Sequence, residues 1–265
     1  PPMGRCRTPS WAPCTMTWIH RTAGVEASTF VMSTILELQD LHTFIGQYHI
    51  LQGVDLAVGE GSVMVLLGRN GAGKTTTLRS ILGLWQPARG RVVFRGQVLN
   101  GCPPHEIARR GIGYVPEYRA IFRQLTVEEN LKIAERRKGQ LAARKKMIFE
   151  LFPDLEKLYY WPGGQLSGGQ QQMLAIARAL VAENSLLLID EPSEGLAPVL
   201  IEQVMEAIRQ LRGHTTVLLV EQNFRVASRL GDFYTLIEDG RTVHSGRMAD
   251  LAADQALVQR YLGAA

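Results

Sequence analysis

Eight residues, Gly68-Arg-Asn-Gly-Ala-Gly-Lys-Thr75, constrain this 265-residue chain more than any others. They fit the loop template G-x-x-x-x-G-K-[ST], in which the backbone turns tightly enough to point successive N–H groups at phosphate oxygens. Glycine at 68, 71 and 73 permits that turn because it has no Cβ. The continuous apolar run Val63–Leu67 leads into the loop, and helical spacing follows over 74–84. A strand entering a glycine loop that opens a helix is the context in which this Walker A template carries meaning, because the helix start adds its positive dipole end. Nucleotide phosphates are expected on Gly68, Arg69, Asn70, Gly71, Ala72, Gly73, Lys74, Thr75 and Thr76. Lys74 should reach the β- and γ-phosphates. Thr75 should offer its hydroxyl to Mg²⁺, a hard cation that binds through oxygen.

The remaining pattern predicts an α/β fold. Residues 34–41 and 50–58 alternate apolar and polar positions as half-buried antiparallel strands do, and 91–99, with Arg95-Gly96 at its middle, suits a further hairpin. Thr126-Val-Glu-Glu129 is a capping box that opens a helix, and a second helical piece over 141–152 stops at Pro153. Together they predict a small helical subdomain over about 118–165. Ser167-Gly-Gly-Gln170 is another capping box, ahead of a helix with Met173, Leu174, Ile176, Ala177, Leu180 and Val181 on its apolar face. The runs at 186–189 and 217–220 are short and wholly apolar, as strands buried on both faces are. Asp239-Gly240 is a tight turn between strands at 234–238 and 241–244. Strands alternating with helices imply a mostly parallel core sheet.

Charge and cysteine usage exclude several classes. Of the formal +4, residues 1–31 carry +2 (Arg5, Arg7 and Arg21 against Glu26), which leaves +2 for the rest. No Lys/Arg block is dense enough to announce a nucleic-acid partner. Cys6, Cys14 and Cys102 make no disulfide framework, and a reducing compartment fits them better. Cys102-Pro-Pro-His105 has metal-like spacing without a second ligand pair. No apolar run approaches the roughly 18 residues of a membrane span, so the chain is not expected to cross one. Residues 1–31 lack periodicity and a secretory apolar stretch. They are expected to be a disordered or non-native leader, with Met32 the more natural start and the folded domain over 33–265.

Two further motifs say how a nucleotide would be used. Asp190 and Glu191 close the apolar run, where carboxylates are expensive without a metal or partner. Asp190 is therefore expected to orient Mg²⁺, and Glu191 to act as the base polarising an attacking water, a role worth about 10²–10⁴-fold. Leu166-Ser-Gly-Gly-Gln170 lies too far along the chain to be an extra loop for the same phosphate. With this LSGGQ string the chain resembles the ATP-binding-cassette (ABC) ATPases, from about residue 33 to its end. The resemblance implies ATP and Mg²⁺ as ligands. It also implies a RecA-like parallel-sheet core with an N-terminal antiparallel β-subdomain and a small helical subdomain. In that family Ser167, Gly168, Gly169 and Gln170 would cover ATP held by an opposing subunit, and the segment 193–196 would be the D-loop crossing the dimer seam. The family's Q-loop glutamine falls on Glu117, grouped with Thr75 and Asp190 near the metal. The switch histidine falls on Gln222, which can hydrogen-bond a γ-phosphate but cannot gain charge. The adenine-stacking aromatic falls on Ile45, with Phe44 and Tyr48 nearby.

Val115-Pro-Glu117, Leu125-Thr-Val-Glu-Glu-Asn-Leu131, Asp190-Glu-Pro-Ser-Glu-Gly-Leu-Ala-Pro198, Val220-Glu-Gln-Asn223 and Tyr261-Leu-Gly263 resemble one branch, the ATP-binding subunits of branched-chain amino acid and related amide importers. That branch implies membrane permease subunits, a second ABC ATPase in a hetero- or homodimer, a periplasmic binding protein, and a place on the cytoplasmic face of the inner membrane. Residues 118–122 would sense the permease, or else serve as subdomain core. An exporter or lipid-transport cassette is the nearer alternative. An SMC-type DNA-repair ATPase needs a long coiled coil that the roughly ninety residues between the nucleotide motifs cannot supply.

Overall fold

Two sheets meet over the glycine loop in the computed structural model, which describes residues 33–263. The expectations for the leader, 1–31, therefore lie outside the described residues. Strands β1 (Thr34–Ile45) and β2 (Tyr48–Gly59) form a long antiparallel hairpin. Both outrun the alternating pattern because the ladder is interrupted at Asp40, whose φ of 45° makes a bulge, and resumes at Leu41. The chain then forms β3 (Val63–Leu67) and α1 (Lys74–Ile81), followed by β4 (Arg89–Phe94) and β5 (Gln97–Val98), which return to pair with the first hairpin. Helix α2 (Pro104–Arg109) leads to β6 (Ile112–Val115).

An insert of three helices follows: α3 (Val127–Ile133), α4 (Gln140–Leu151) and α5 (Pro153–Lys157). Pro153 ends one helix and also starts the next at its first position, where the missing N–H costs nothing. The insert rests on α6 (Gly168–Val181), after which come β7 (Leu186–Asp190), α7 (Pro198–Gln210) and β8 (Thr216–Glu221). Helix α8 (Phe224–Leu230), capped by Asn223, precedes the hairpin of β9 (Phe233–Glu238) and β10 (Arg241–Arg247). Helices α9 (Met248–Ala253) and α10 (Gln255–Leu262) close the described chain. The β4–β5 and β9–β10 turns run through left-handed backbone at both residues, Arg95-Gly96 and Asp239-Gly240, a pattern favoured in two-residue connections.

The second sheet has the order β10-β9-β3-β8-β7-β6, parallel except at its β10 edge. Successive residues of its central strands face opposite cores. Val63, Val65 and Leu67 pack with Leu187, Ile189, Val217 and Leu219 against the α6 side. Met64 and Leu66, with Leu188 and Leu218, pack against α1 and the antiparallel sheet. Two apolar faces account for the uninterrupted apolar runs. The topology sets the carboxyl ends of β3, β8 and β7 side by side, with Leu67 paired to Glu221 and Asp190 to Val220. Ligands of open parallel sheets bind at that end.

Candidate nucleotide site

The loop after β3 is built around close backbone approach. Gly68 sits at φ 159°, and a Cβ there would lie 2.4 Å from the Ile237 carbonyl oxygen of β9. The loop is also tied to the β9–β10 turn, where the Gly240 N–H donates to Ala72 O at 3.0 Å. Lys74 is buried to 4 % exposure. Its Nζ donates to Gly68 O at 3.0 Å and Arg69 O at 3.2 Å, and pairs with Glu191 Oε1 at 3.0 Å. A buried ammonium needs such partners. Its ion pair with Glu191 is the contact a triphosphate would compete for.

Thr75 Oγ1 donates to Asp190 Oδ1 at 3.1 Å, and Tyr114 OH donates to Asp190 Oδ2 at 3.2 Å. Burial pushes the Asp190 carboxyl up to about 6, against the pull of those two donors. Glu191 follows at φ 43°, left-handed backbone for a non-glycine residue, with its N–H donating to Val220 O at 3.0 Å. A hydrogen bond to Glu191 raises the Glu194 carboxyl above its ordinary range. A cavity of about 440 Å³ opens beside these groups, lined by Ile45, Ile50, Asn70, Gly71, Gly73, Lys74, Thr75, Thr76, Glu117, Glu191 and Glu194, with Asp190 buried behind Thr75 and not on its wall. Its size is that of a small-molecule site.

Not every expected residue faces this cavity. Arg69 turns away, its Nη2 donating to Arg260 O of α10 at 3.4 Å. Gly68 and Ala72 support the loop from behind. Gln222 is exposed beyond the end of β8 and is not among the lining residues. Phe44 stacks on His49, with centroids 4.2 Å apart and planes 6° from parallel, and neither Phe44 nor Tyr48 lines the cavity. Adjacent strand residues face opposite sides, so Ile45 and Ile50 supply the aliphatic wall. Ser167, Gly168, Gly169 and Gln170 are likewise outside it. Their capping box forms, with Gln170 N–H donating to Ser167 Oγ at 3.3 Å and Ser167 N–H to Gln170 Oε1 at 2.9 Å. Ser167 and Gly168 are exposed, presenting the first turn of α6 outward, where N–H groups lack helical acceptors. Gly169 is buried, and a Cβ on it would lie 2.5 Å from the Leu200 side chain of α7.

Three residues of this region escape sequence reasoning. Tyr114 directly precedes the Val115-Pro-Glu117 string, but its bond to Asp190 spans 76 residues. Glu194 lies in the 193–196 segment and lines the cavity. Glu221 is 1 % exposed and pushed up to about 7 by burial. The signal for it was present, because it ends the apolar run 217–220 as Asp190 ends 186–189.

Comparison with known proteins agrees with this geometry. Residues 51–194 match the family model described as ABC transporter. The chain is 41 % identical over 232 residues to the high-affinity branched-chain amino acid transport ATP-binding protein BraG of Pseudomonas aeruginosa, covering 86 % of this chain and 100 % of that one. It is 37 % identical to the probable branched-chain amino acid transport ATP-binding protein LivF of Archaeoglobus fulgidus, covering 82 % and 94 %. It is 32 % identical to the lipopolysaccharide export system ATP-binding protein LptB of Acidithiobacillus ferridurans, covering 88 % and 98 %. A solved ATP-binding subunit of an ABC transporter superposes with a TM-score of 0.74 at 30 % identity, covering 88 % of this chain and 96 % of that one. The family match over more than half of the chain, with relatives 32–41 % identical along nearly their whole length, places this chain in the ABC transporter family.

Proposed function

We propose that the cavity takes the triphosphate of ATP, and that a second cassette completes the site with its own LSGGQ helix start. The observation carrying this reading is that Lys74, Thr75 and Glu191 line one cavity, with the buried Asp190 bonded to Thr75 behind its wall, while Ser167 and Gly168, in the same chain, face solvent away from it. A helix start rich in free N–H groups suits an anion delivered from outside. The chain is the ATP-binding, ATP-hydrolysing subunit of an ABC transporter. Lys74 leaves Glu191 to engage phosphate, and Glu191 then polarises the water that attacks the γ-phosphate. Gln222 reaches that phosphate only when the dimer closes.

Thr75 and Asp190 fit Mg²⁺, since both present oxygen and Asp190 is a buried carboxyl held by two hydroxyls. Among the described residues no group of three His, Cys, Asp or Glu could hold a metal alone. The phosphates must therefore complete the shell, as is usual for this ion. Mg²⁺ held there would neutralise charge developing on the phosphates, and Glu117, on the cavity wall, would be a further oxygen donor to it.

The transported solute is proposed from the relatives named for branched-chain amino acid transport, BraG and LivF. Lipopolysaccharide export is the second reading, favoured only by the LptB likeness at 32 % identity. In either case the permease is the membrane component. Among the described residues no helix is long and apolar enough to cross a membrane. A groove of about 460 Å³ between the β6 edge and the helical insert supports docking there, walled by Leu84, Tyr118, Arg119 and Arg178. Tyr118 is 72 % and Phe122 45 % exposed, more than subdomain core would be. We place the subunit on the cytoplasmic face of the membrane, held by permeases whose solute arrives from a periplasmic binding protein. Glu191→Gln tests the central reading: ATP should still bind while steady-state hydrolysis slows by at least about 10²-fold. Unimpaired turnover would remove Glu191 as the base.

A further inference from the structure

The burial of Glu221 is unexplained by the roles given so far. It closes β8 one residue before Gln222 and is 1 % exposed. A carboxylate withdrawn from water is costly unless its oxygens are hydrogen-bonded. Here the partners are neutral donors from two loops. Ser193 N–H donates to Oε1 at 3.3 Å, Ser193 O–H to Oε2 at 3.0 Å, and Asn223 N–H to Oε2 at 3.4 Å. Ser193 belongs to the turn that carries Glu191, and Asn223 to the turn that carries Gln222.

A second oddity lies at the other end of the same turn. Glu191 holds left-handed backbone at φ 43°, which a side chain adopts at a cost and keeps only where surrounding contacts over-determine it. Its N–H is fixed to Val220 O at 3.0 Å, and Ser193, two residues on, is fixed twice by Glu221. The turn 191–193 is therefore pinned at both ends to the last two residues of β8.

We propose that Glu221 is a positioning residue, whose carboxylate latches Ser193 and Asn223 so that Glu191 keeps its left-handed conformation in register with Gln222. The proposal rests on the reading of Glu191 as the base. It explains why a carboxyl, which accepts through both oxygens once ionised, stands here rather than an amide. The N–H groups of Ser193 and Asn223 address different oxygens, so either orientation of a glutamine would set its NH₂ against one of them. The latch contacts Ser193 and Asn223 and not the glycine loop, so it acts on the geometry of the reacting groups and not on the affinity for ATP.

The test measures ATP Kd and kcat separately in the full chain, for wild type, Glu221→Gln, Ser193→Ala, Ser193→Thr and Glu191→Gln. Glu221→Gln should keep Kd within about two-fold while kcat falls at least about ten-fold, the mark of an interaction serving the transition state alone. Ser193→Ala should be slow at unchanged Kd, with Ser193→Thr, which keeps the hydroxyl, restoring most of the rate. Unchanged kcat in Glu221→Gln, or Kd and kcat worsening together, overturns the latch. Should Glu221→Gln fold poorly, the serine pair decides, and Ser193→Ala turning over at the wild-type rate overturns it equally. An unimpaired Glu191→Gln overturns instead the assignment of the base, whereas a slow Glu191→Gln beside an unimpaired Glu221→Gln removes the latch alone.

Discussion

Replacing Lys74 with alanine removes the ammonium proposed to hold the phosphates of ATP. Lys74 Nζ is held by Gly68 O, Arg69 O and Glu191 Oε1, all within 3.2 Å, at 4 % exposure. Phosphate oxygens would replace the Glu191 contact and add another. Charge-assisted hydrogen bonds contribute about 1.5–3 kcal/mol each, so two give about 3–6 kcal/mol. Surrendering Glu191 offsets part of this, which places the net near the lower end. The variant loses that gain and also leaves Glu191 unpaired facing the phosphates, a repulsion of the same sign. ATP affinity should therefore fall at least about 100-fold. Calorimetric titration with a slowly hydrolysed ATP analogue and Mg²⁺ measures it, with circular dichroism to confirm folding. Lys74→Ala combined with Glu191→Gln should recover part of the loss, because the repelling carboxylate is gone. A folded Lys74→Ala whose Kd stays within about five-fold of wild type would refute the reasoning.

Three further outcomes follow from the same geometry. Glu191→Gln should bind ATP more tightly than wild type in the titration, since Lys74 no longer has to be drawn from an ion pair; weaker binding would contradict the competition. Ile45→Tyr should tighten ATP, but not free triphosphate, by about two- to ten-fold, matching roughly 0.5–1.5 kcal/mol of ring stacking; equal effects on both would place the base elsewhere. Burial raises Glu221 from 4.5 to about 7. The folded protein therefore keeps a proton that the unfolded chain releases above pH 4.5, and stability falls as pH rises through that window. Relative to Glu221→Gln, wild type should lose about 3 kcal/mol between pH 4.5 and pH above 7, read from denaturant melts; a pH-independent difference would contradict the burial.

What the sequence made legible was local. Strands β3, β7 and β8 read directly as apolar runs because each is buried on both faces. The capping boxes at Thr126 and Ser167 and the Asp239-Gly240 turn are likewise fixed by neighbours a few residues apart. The approach of Thr75 to Asp190 was inferable only because two motifs with one chemical purpose imply one place. Features set by long-range packing were not legible. The bulge at Asp40, whose N–H donates to Asp55 Oδ1, lengthens β1 past its alternating pattern. Helices α2, α8 and α9 are six or seven residues long, and α10 is eight, too short for helical spacing to stand out. The latch between Ser193 and Glu221 spans 28 residues and leaves no periodic trace. The position of Phe44 depends on which strand face the glycine loop meets, and the sequence does not carry that.

A site divided between two copies is the claim on which the rest depends, and complementation tests it most directly. Lys74→Ala spoils the phosphate loop, and Ser167→Arg fills the helix start that a partner's ATP would meet. Each variant alone should be inactive. Mixed, they form pairs in which one site keeps an intact loop from one copy and an intact Ser167 from the other, and ATP turnover should return. Ser167→Arg hydrolysing ATP at the wild-type rate by itself, at dilutions where the chain is monomeric, would contradict the account.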